Sequence, residues 1–284
     1  MTAATATILL SCPDTPGLVA KLANFIYSNG GNIIHADHHT DLSAGLFLSR
    51  IEWQLDGFNL PREIVGPAFA AIADPLGAYW ELHFSDQIPR ISLWVTKQDH
   101  CLLDLLWRSR SGELNAEIPL IISNHTDLKP IADQYGIDFH HAPITADTKA
   151  EQEAHELALL AQYNIDLVVL AKYMQVLSDR FISQFPKTLN IHHSFLPAFA
   201  GAKPYHRAYA RGVKIIGATS HYVTADLDEG PIVEQDVVRV SHRDEVADLI
   251  RKGKDLERIV LARAVRSHLE HRVLAYGNRT VVFG

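Results

Sequence analysis

Residues 167–192 read LVVLAKYMQVLSDRFISQFPKTLNIH. Leu167–Ala171 is an unbroken apolar run that reads as a strand, and Thr188–Ile191 reads as another. Working outward toward the N-terminus, Arg90–Thr96, Ile118–Ser123 and Gly136–His140 read as further strands. Helical spacing is clearest between them at 99–110 and 147–163. Strands alternating with helices predict a parallel, doubly wound, Rossmann-like sheet, because crossover helices cover both of its faces. Working outward toward the C-terminus, 213–223 (VKIIGATSHYV) and 231–240 (PIVEQDVVRV) are separated by only a short turn. They predict an antiparallel pair added to the parallel sheet. Residues 244–273 read as a helix, with Leu249, Ile250, Ile259, Val260, Leu261 and Val265 as its apolar positions.

Upstream of Phe84-Ser85-Asp86-Gln87-Ile88-Pro89, which reads as a linker, the rhythm differs. Residues 6–11 (ATILLS) form a strand candidate, and Pro13-Asp14-Thr15-Pro16-Gly17 carries turn chemistry. Leu18, Leu22, Phe25 and Ile26 then recur at helical spacing until Asn29-Gly30-Gly31-Asn32 stops the helix. Strands at 33–39 and 45–53, a helix near 61–74 and a strand near 78–84 follow. The order βαββαβ is the split, ferredoxin-like pattern. The expected organisation is α/β throughout, with a small domain over 1–85 and a larger one over 90–284.

The 284 residues are 47% hydrophobic and 21% charged, with a net charge of -7. That profile is globular, and its mild acidity gives no broad reason to bind nucleic acid or an anionic membrane surface. Two cysteines, Cys12 and Cys101, lie far apart, so neither a disulfide framework nor a thiolate zinc site is expected. They fit a reducing, cytoplasmic compartment. The opening MTAATATILLSCPD lacks the basic region of a signal peptide, and no segment has the apolar length of a spanning helix.

Open α/β sheets bind ligands beyond the carboxyl ends of their strands. Asn190 and His192 end one such strand and share a face, because side chains alternate along a strand. An amide and an imidazole projecting together can hydrogen-bond a carbonyl oxygen as it gains charge. A second constellation, His221-Tyr222-Val223-Thr224-Ala225-Asp226-Leu227-Asp228-Glu229-Gly230-Pro231, follows a later strand. A carboxylate beside His192 would favour its imidazolium form and fix a nearby water. Spacing alone leaves Asp226, Asp228 and Glu229 as alternatives.

Asn-Ile-His-x-Ser-x-Leu-Pro followed by Gly-x-Thr-x-His-x-Val-x-x-x-x-Asp-x-Gly resembles the folate-dependent formyltransferases over 90–284. The resemblance implies Asn190, His192 and Asp228 as the catalytic set. It implies a folate pocket along Met174, Gln175, Val176 and Leu177, with His221, Val223, Thr224 and the Leu196–Gly201 loop contributing. Gly201, Lys203, Lys172 and Arg207 are candidates near the substrate, the lysines and the arginine for its glutamate tail. His193 stands where that family usually has proline. The N-terminal part resembles an ACT domain, with Asp14 and Gly17 as candidate contacts for an amino-acid effector. The fusion of the two, ending in Gly277-Asn278-Arg279-Thr280-Val281-Val282-Phe283, is similar to the formyltetrahydrofolate deformylases. That similarity implies hydrolysis of 10-formyltetrahydrofolate to tetrahydrofolate and formate, supplying formate to purine synthesis. It implies a homo-oligomer, and neither cofactor nor metal.

One stretch bears on the acceptor. Transformylases that use glycinamide ribonucleotide, the alternative reading, cradle a phosphate on a glycine-rich turn after their first strand. The turn here, Lys97-Gln98-Asp99-His100-Cys101, has no glycine. Asp99 would repel phosphate, and it also suits a helix cap. Two histidine groupings suggest metal: His192 and His221 with Asp228, and His35-Ala36-Asp37-His38-His39. His38 and His39 point to opposite faces of a strand and are not expected to converge. His206 is a candidate at the site or at a helix start.

Overall fold

The computed structural model describes residues 4–198 and 204–284. Two units are distinguished: residues 1–88 together with 270–284, and residues 89–269. The first contains β1 (Thr5–Pro13), α1 (Leu18–Ser28), β2 (Ile33–Asp41), β3 (Leu46–Gln54), α2 (Arg62–Ala73) and β4 (Tyr79–Phe84). Their order is the expected βαββαβ. The strands form one antiparallel sheet in the order β2-β3-β1-β4. Helix α1 buries Leu18, Leu22, Phe25 and Ile26, the stripe that its spacing predicts. Val65, Phe69 and Ala73 of α2 join them over Ile8, Leu10, Ile51 and Trp53 of the sheet.

The opposite face of that sheet corrects the sequence reading. Leu9 and Leu48 point there and pack against Leu274 and Phe283. The last fifteen residues, assigned from sequence to the second domain, therefore pack with the first. The long helix stops at Leu269, short of the expected 273, and a hairpin of Val273–Tyr276 and Arg279–Val282 follows. Arg50 fixes the junction by donating to the carbonyls of Glu270 and His271. Both faces of β1 are thus covered, which is why Ile8, Leu9 and Leu10 are apolar in succession rather than alternating with polar residues.

The second unit contains β5 (Arg90–Val95), α3 (His100–Arg110), β6 (Glu117–Ser123), α4 (Lys129–Tyr135), β7 (Asp138–His141), α5 (Lys149–Gln162) and β8 (Leu167–Leu170). It continues with α6 (Asp179–Gln184), β9 (Thr188–His192), α7 (Pro204–Arg211), β10 (Ile215–Tyr222), β11 (Ile232–Arg239) and α8 (Val246–Leu269). Its sheet runs β11-β10-β9-β8-β5-β6-β7. Strands β5 to β9 are parallel, and β10 and β11 form the expected antiparallel addition. The chain winds outward from β5 in one direction through β6 and β7, then returns to its other side with β8 and β9. The crossing point lies between β5 and β8, where open sheets form a crevice at their carboxyl ends.

Candidate active site

Strand β9 places Asn190 and His192 on one face, with Leu189 and Ile191 buried on the other side of the backbone. Strand β10 runs antiparallel to it, so His221 stands opposite Asn190. After Tyr222 the chain loops out and returns at Pro231, whose carbonyl accepts from the Tyr222 amide. Gly230 makes this closure possible, since a Cβ there would lie 1.8 Å from the Tyr222 carbonyl oxygen. The loop carries Asp228 in a left-handed conformation, φ 59°, that non-glycine residues seldom adopt.

That conformation turns Asp228 toward β9. Its Oδ1 lies 3.0 Å from His192 Nδ1 and 3.8 Å from His221 Nε2. The hydrogen bond from His192 holds the Asp228 carboxyl below its ordinary range, against the effect of burial. An ionised Asp228 accepts from Nδ1, so Nε2 is the ring nitrogen that this pair leaves for a ligand. Nε2 is buried and has no hydrogen-bond partner among the described residues. Asp226 and Glu229, the other acidic candidates, are exposed.

His221 is oriented by its neighbours. Its Nδ1 lies 2.9 Å from the Tyr222 carbonyl oxygen, which can only accept, so Nδ1 carries the hydrogen. Burial lowers the His221 pKa. The neutral ring then offers its Nε2 lone pair to Asn190 Nδ2, 3.2 Å away. One Asn190 amide hydrogen is spent there, and the second has no partner among the described residues.

Thr96 and Asn124 were not picked out from the sequence, yet they hold the loop after β8. Thr96 Oγ1 accepts from the Met174 amide and donates to Asn124 Oδ1. These contacts join residues far apart in the chain, so no local pattern announces them. Leu177 is buried in the core of this unit, with Val223 packed against that core, while Met174 and Val176 are exposed. Thr224 turns its hydroxyl to the Asp226 carbonyl. His206 is exposed on α7. Gly201 and Lys203 lie outside the described residues. In the first unit, Asp14 and Gly17 lie in the exposed turn between β1 and α1.

Two sequence expectations change, those for Lys172 and Asp99. Lys172 does not reach outward for a glutamate tail: it is buried, with Nζ 3.3 Å from Glu257. Asp99 precedes α3 without capping it through its side chain. His38 bonds Ser49, and among the described residues the one metal-like grouping is His100, Cys101 and Glu257. The Lys172 ammonium already supplies a cation there, and burial pushes the Cys101 thiol up, away from a ligating thiolate.

Comparison with known proteins fits this geometry. The formyl transferase family model matches residues 89–265, and the ACT domain model matches residues 6–52. A formyltetrahydrofolate deformylase from Synechocystis sp. is 71% identical over 279 residues, 98% of either chain. The chain belongs to the formyltetrahydrofolate deformylase family. A crystal structure of a deformylase from Pseudomonas syringae pv. tomato superposes with a TM-score of 0.97 at 44% identity, covering 100% of this chain and 96% of that one. A glycinamide ribonucleotide transformylase from Symbiobacterium toebii is more distant. It has a TM-score of 0.66 at 31% identity, over 72% of this chain and 98% of that one. The deformylases thus share both units with this chain, whereas that transformylase matches 72% of it.

Proposed function

We propose that the chain hydrolyses 10-formyltetrahydrofolate to tetrahydrofolate and formate, with Asn190, His192 and Asp228 as the catalytic set. The observation that carries this is the His192–Asp228 pair, whose Nε2 has no partner among the described residues, on the same strand face as Asn190. Water gives a proton to His192 Nε2 as its oxygen attacks the formyl carbon. The Asn190 amide and the imidazolium so formed stabilise the oxyanion, and Asp228 stabilises the imidazolium. His192 then returns the proton to N10 as the C–N bond breaks, leaving tetrahydrofolate and formic acid. The loop Met174–Leu177, with Val223, is the candidate wall for the folate ring.

No cofactor or metal enters these steps, and formate release is expected to persist in a chelator. In the first unit the ACT-type fold supports a homo-oligomer, with an amino-acid effector near Asp14 and Gly17. Transfer to an amine such as glycinamide ribonucleotide is the competing reading. The glycine-free turn before α3 and the exposed Asp99 speak against its phosphate. The test gives the purified protein 10-formyltetrahydrofolate without any amine and follows formate. Formate release that His192→Ala abolishes supports the reading. Formyl transfer only on adding an amine overturns it.

A further inference from the structure

The crevice between β5 and β8, where an open sheet takes its ligands, is occupied by side chains of this chain. Glu257 of α8 is 1% exposed. It is reached by His100 Nε2 at 2.7 Å, by Tyr205 Oη at 2.6 Å and by Lys172 Nζ at 3.3 Å. His100 opens α3 after β5, and Lys172 follows β8. His193, just past β9, stacks on His192 with ring centroids 4.8 Å apart and lies 6.3 Å from the Tyr205 ring. The cluster therefore begins one ring away from the His192–Asp228 pair.

Three local features that each disfavour folding converge on it. A buried ion pair is seldom more stable than apolar side chains of the same volume. Lys172 adopts a left-handed backbone, φ 67°, which costs on the order of 1–3 kcal/mol for a non-glycine residue. Gly253 sits inside α8, where glycine is about 1 kcal/mol worse than alanine. A Cβ on Gly253 would meet Tyr205 Oη at 2.1 Å, so the glycine is what lets the phenol lie across the helix. Such a concentration beside a reactive pair points to function rather than to stability.

We propose that Tyr205, Glu257, Lys172 and His100 form a built-in plug on the acceptor side of the site, which keeps amines from the formyl carbon and leaves water as the acceptor. The proposal rests on the Asn190–His192–Asp228 reading and adds the residues that set its specificity. The transformylase from Symbiobacterium toebii superposes over 72% of this chain at 31% identity, a shared frame on which side chains can set the acceptor. The plug puts a carboxylate and a phenol where an incoming amine would approach. With His193 held neutral, its pKa lowered to about 4 by burial and by Lys172, the ion pair gains no competing charge from that side.

An opened crevice would permit formyl transfer. An amine nitrogen attacks the formyl carbon, the bond to N10 breaks, and the amine proton passes to N10, giving a formamide and tetrahydrofolate. The experiment supplies 10-formyltetrahydrofolate and glycinamide to the full-length protein, then measures the ratio of N-formylglycinamide to formate. Gly253→Ala, which displaces Tyr205, and Tyr205→Ala, which removes it, are expected to raise that ratio on the order of tenfold or more. Tyr205→Phe keeps the ring in place and is expected to leave the ratio near that of the unaltered protein. Should Gly253→Ala not fold, Tyr205→Ala, which only removes atoms, decides the matter. A folded Tyr205→Ala that releases formate with an unchanged ratio overturns the plug. Formate release by His192→Ala would instead overturn the site reading, whatever the ratio.

Discussion

At the scale of single residues, the site depends on which atoms are already bonded. Asp228 spends one oxygen on His192, and His221 spends its lone pair on Asn190. Asp228→Asn keeps the volume but removes the charge that supports an imidazolium. Turnover is expected to fall by about 10³ or more with the dissociation constant for folate little changed, measured by stopped-turnover kinetics alongside a binding titration. Near-normal turnover would remove Asp228 from the catalytic set. On the proposed mechanism Asn190→Ala deletes one donor to the oxyanion, so kcat is expected to drop by about 10²–10³. His221→Phe leaves the Asn190 amide without its acceptor, and the expected loss is smaller, about tenfold in kcat with KM unchanged. A loss as large as that of Asn190→Ala would mean that His221 touches the reacting atoms. Asn190 and His192 were legible from strand alternation. The choice of Asp228 over Asp226 and Glu229 came from family spacing, and a single backbone conformation gives it a geometric reason.

At the scale of elements, the loop between β10 and β11 is set by Gly230. Gly230→Ala forces the Tyr222 carbonyl and the Pro231 return apart, which moves Asp228 away from His192. Activity is expected to fall at least 100-fold, while the melting temperature falls less than for a core substitution. A fully active Gly230→Ala would show that the closure is dispensable. Helix α5 carries a different signature. Glu156 is fully buried, and burial followed by the nearby Glu153 raises its pKa from 4.5 to about 8, against the opposing effect of the Tyr173 hydroxyl. The folded state therefore holds a proton that the unfolded chain releases above pH 4.5. The stability this lends is complete below pH 4.5 and is lost as pH rises toward 8, an effect on the order of a few kcal/mol. Glu156→Gln is expected to flatten that slope and to raise the melting temperature at pH 8, as thermal melts across pH would show. An unchanged slope would place the proton elsewhere. Helix spacing marked α5, but Glu156 reads in sequence as an ordinary solvated position.

At the scale of the whole molecule, the chain returns to its first unit after completing its second. Deleting residues 270–284 would expose Leu9 and Leu48 and remove Leu274 and Phe283, at about 1.5–3 kcal/mol for each large side chain no longer buried. Urea unfolding of the truncated chain is expected to show a separate, earlier transition for the first unit. A single transition at the original midpoint would contradict that packing. The hairpin illustrates why some of the fold was not readable. Its strands are short, and their apolar partners lie in β1 and β3, more than two hundred residues away. The sequence by itself determined the two architectures, because hydrophobic period and turn chemistry are local and each element needs one buried face. It also determined the Asn190–His192 pair, because alternation along a strand is a backbone property. Only the tertiary structure decided the home of the C-terminal hairpin, the hold of Thr96 on Met174, and the filling of the crevice by Lys172, Glu257 and Tyr205. Those depend on contacts between distant segments, and on a lysine and a glutamate buried together that look, singly, like surface charges.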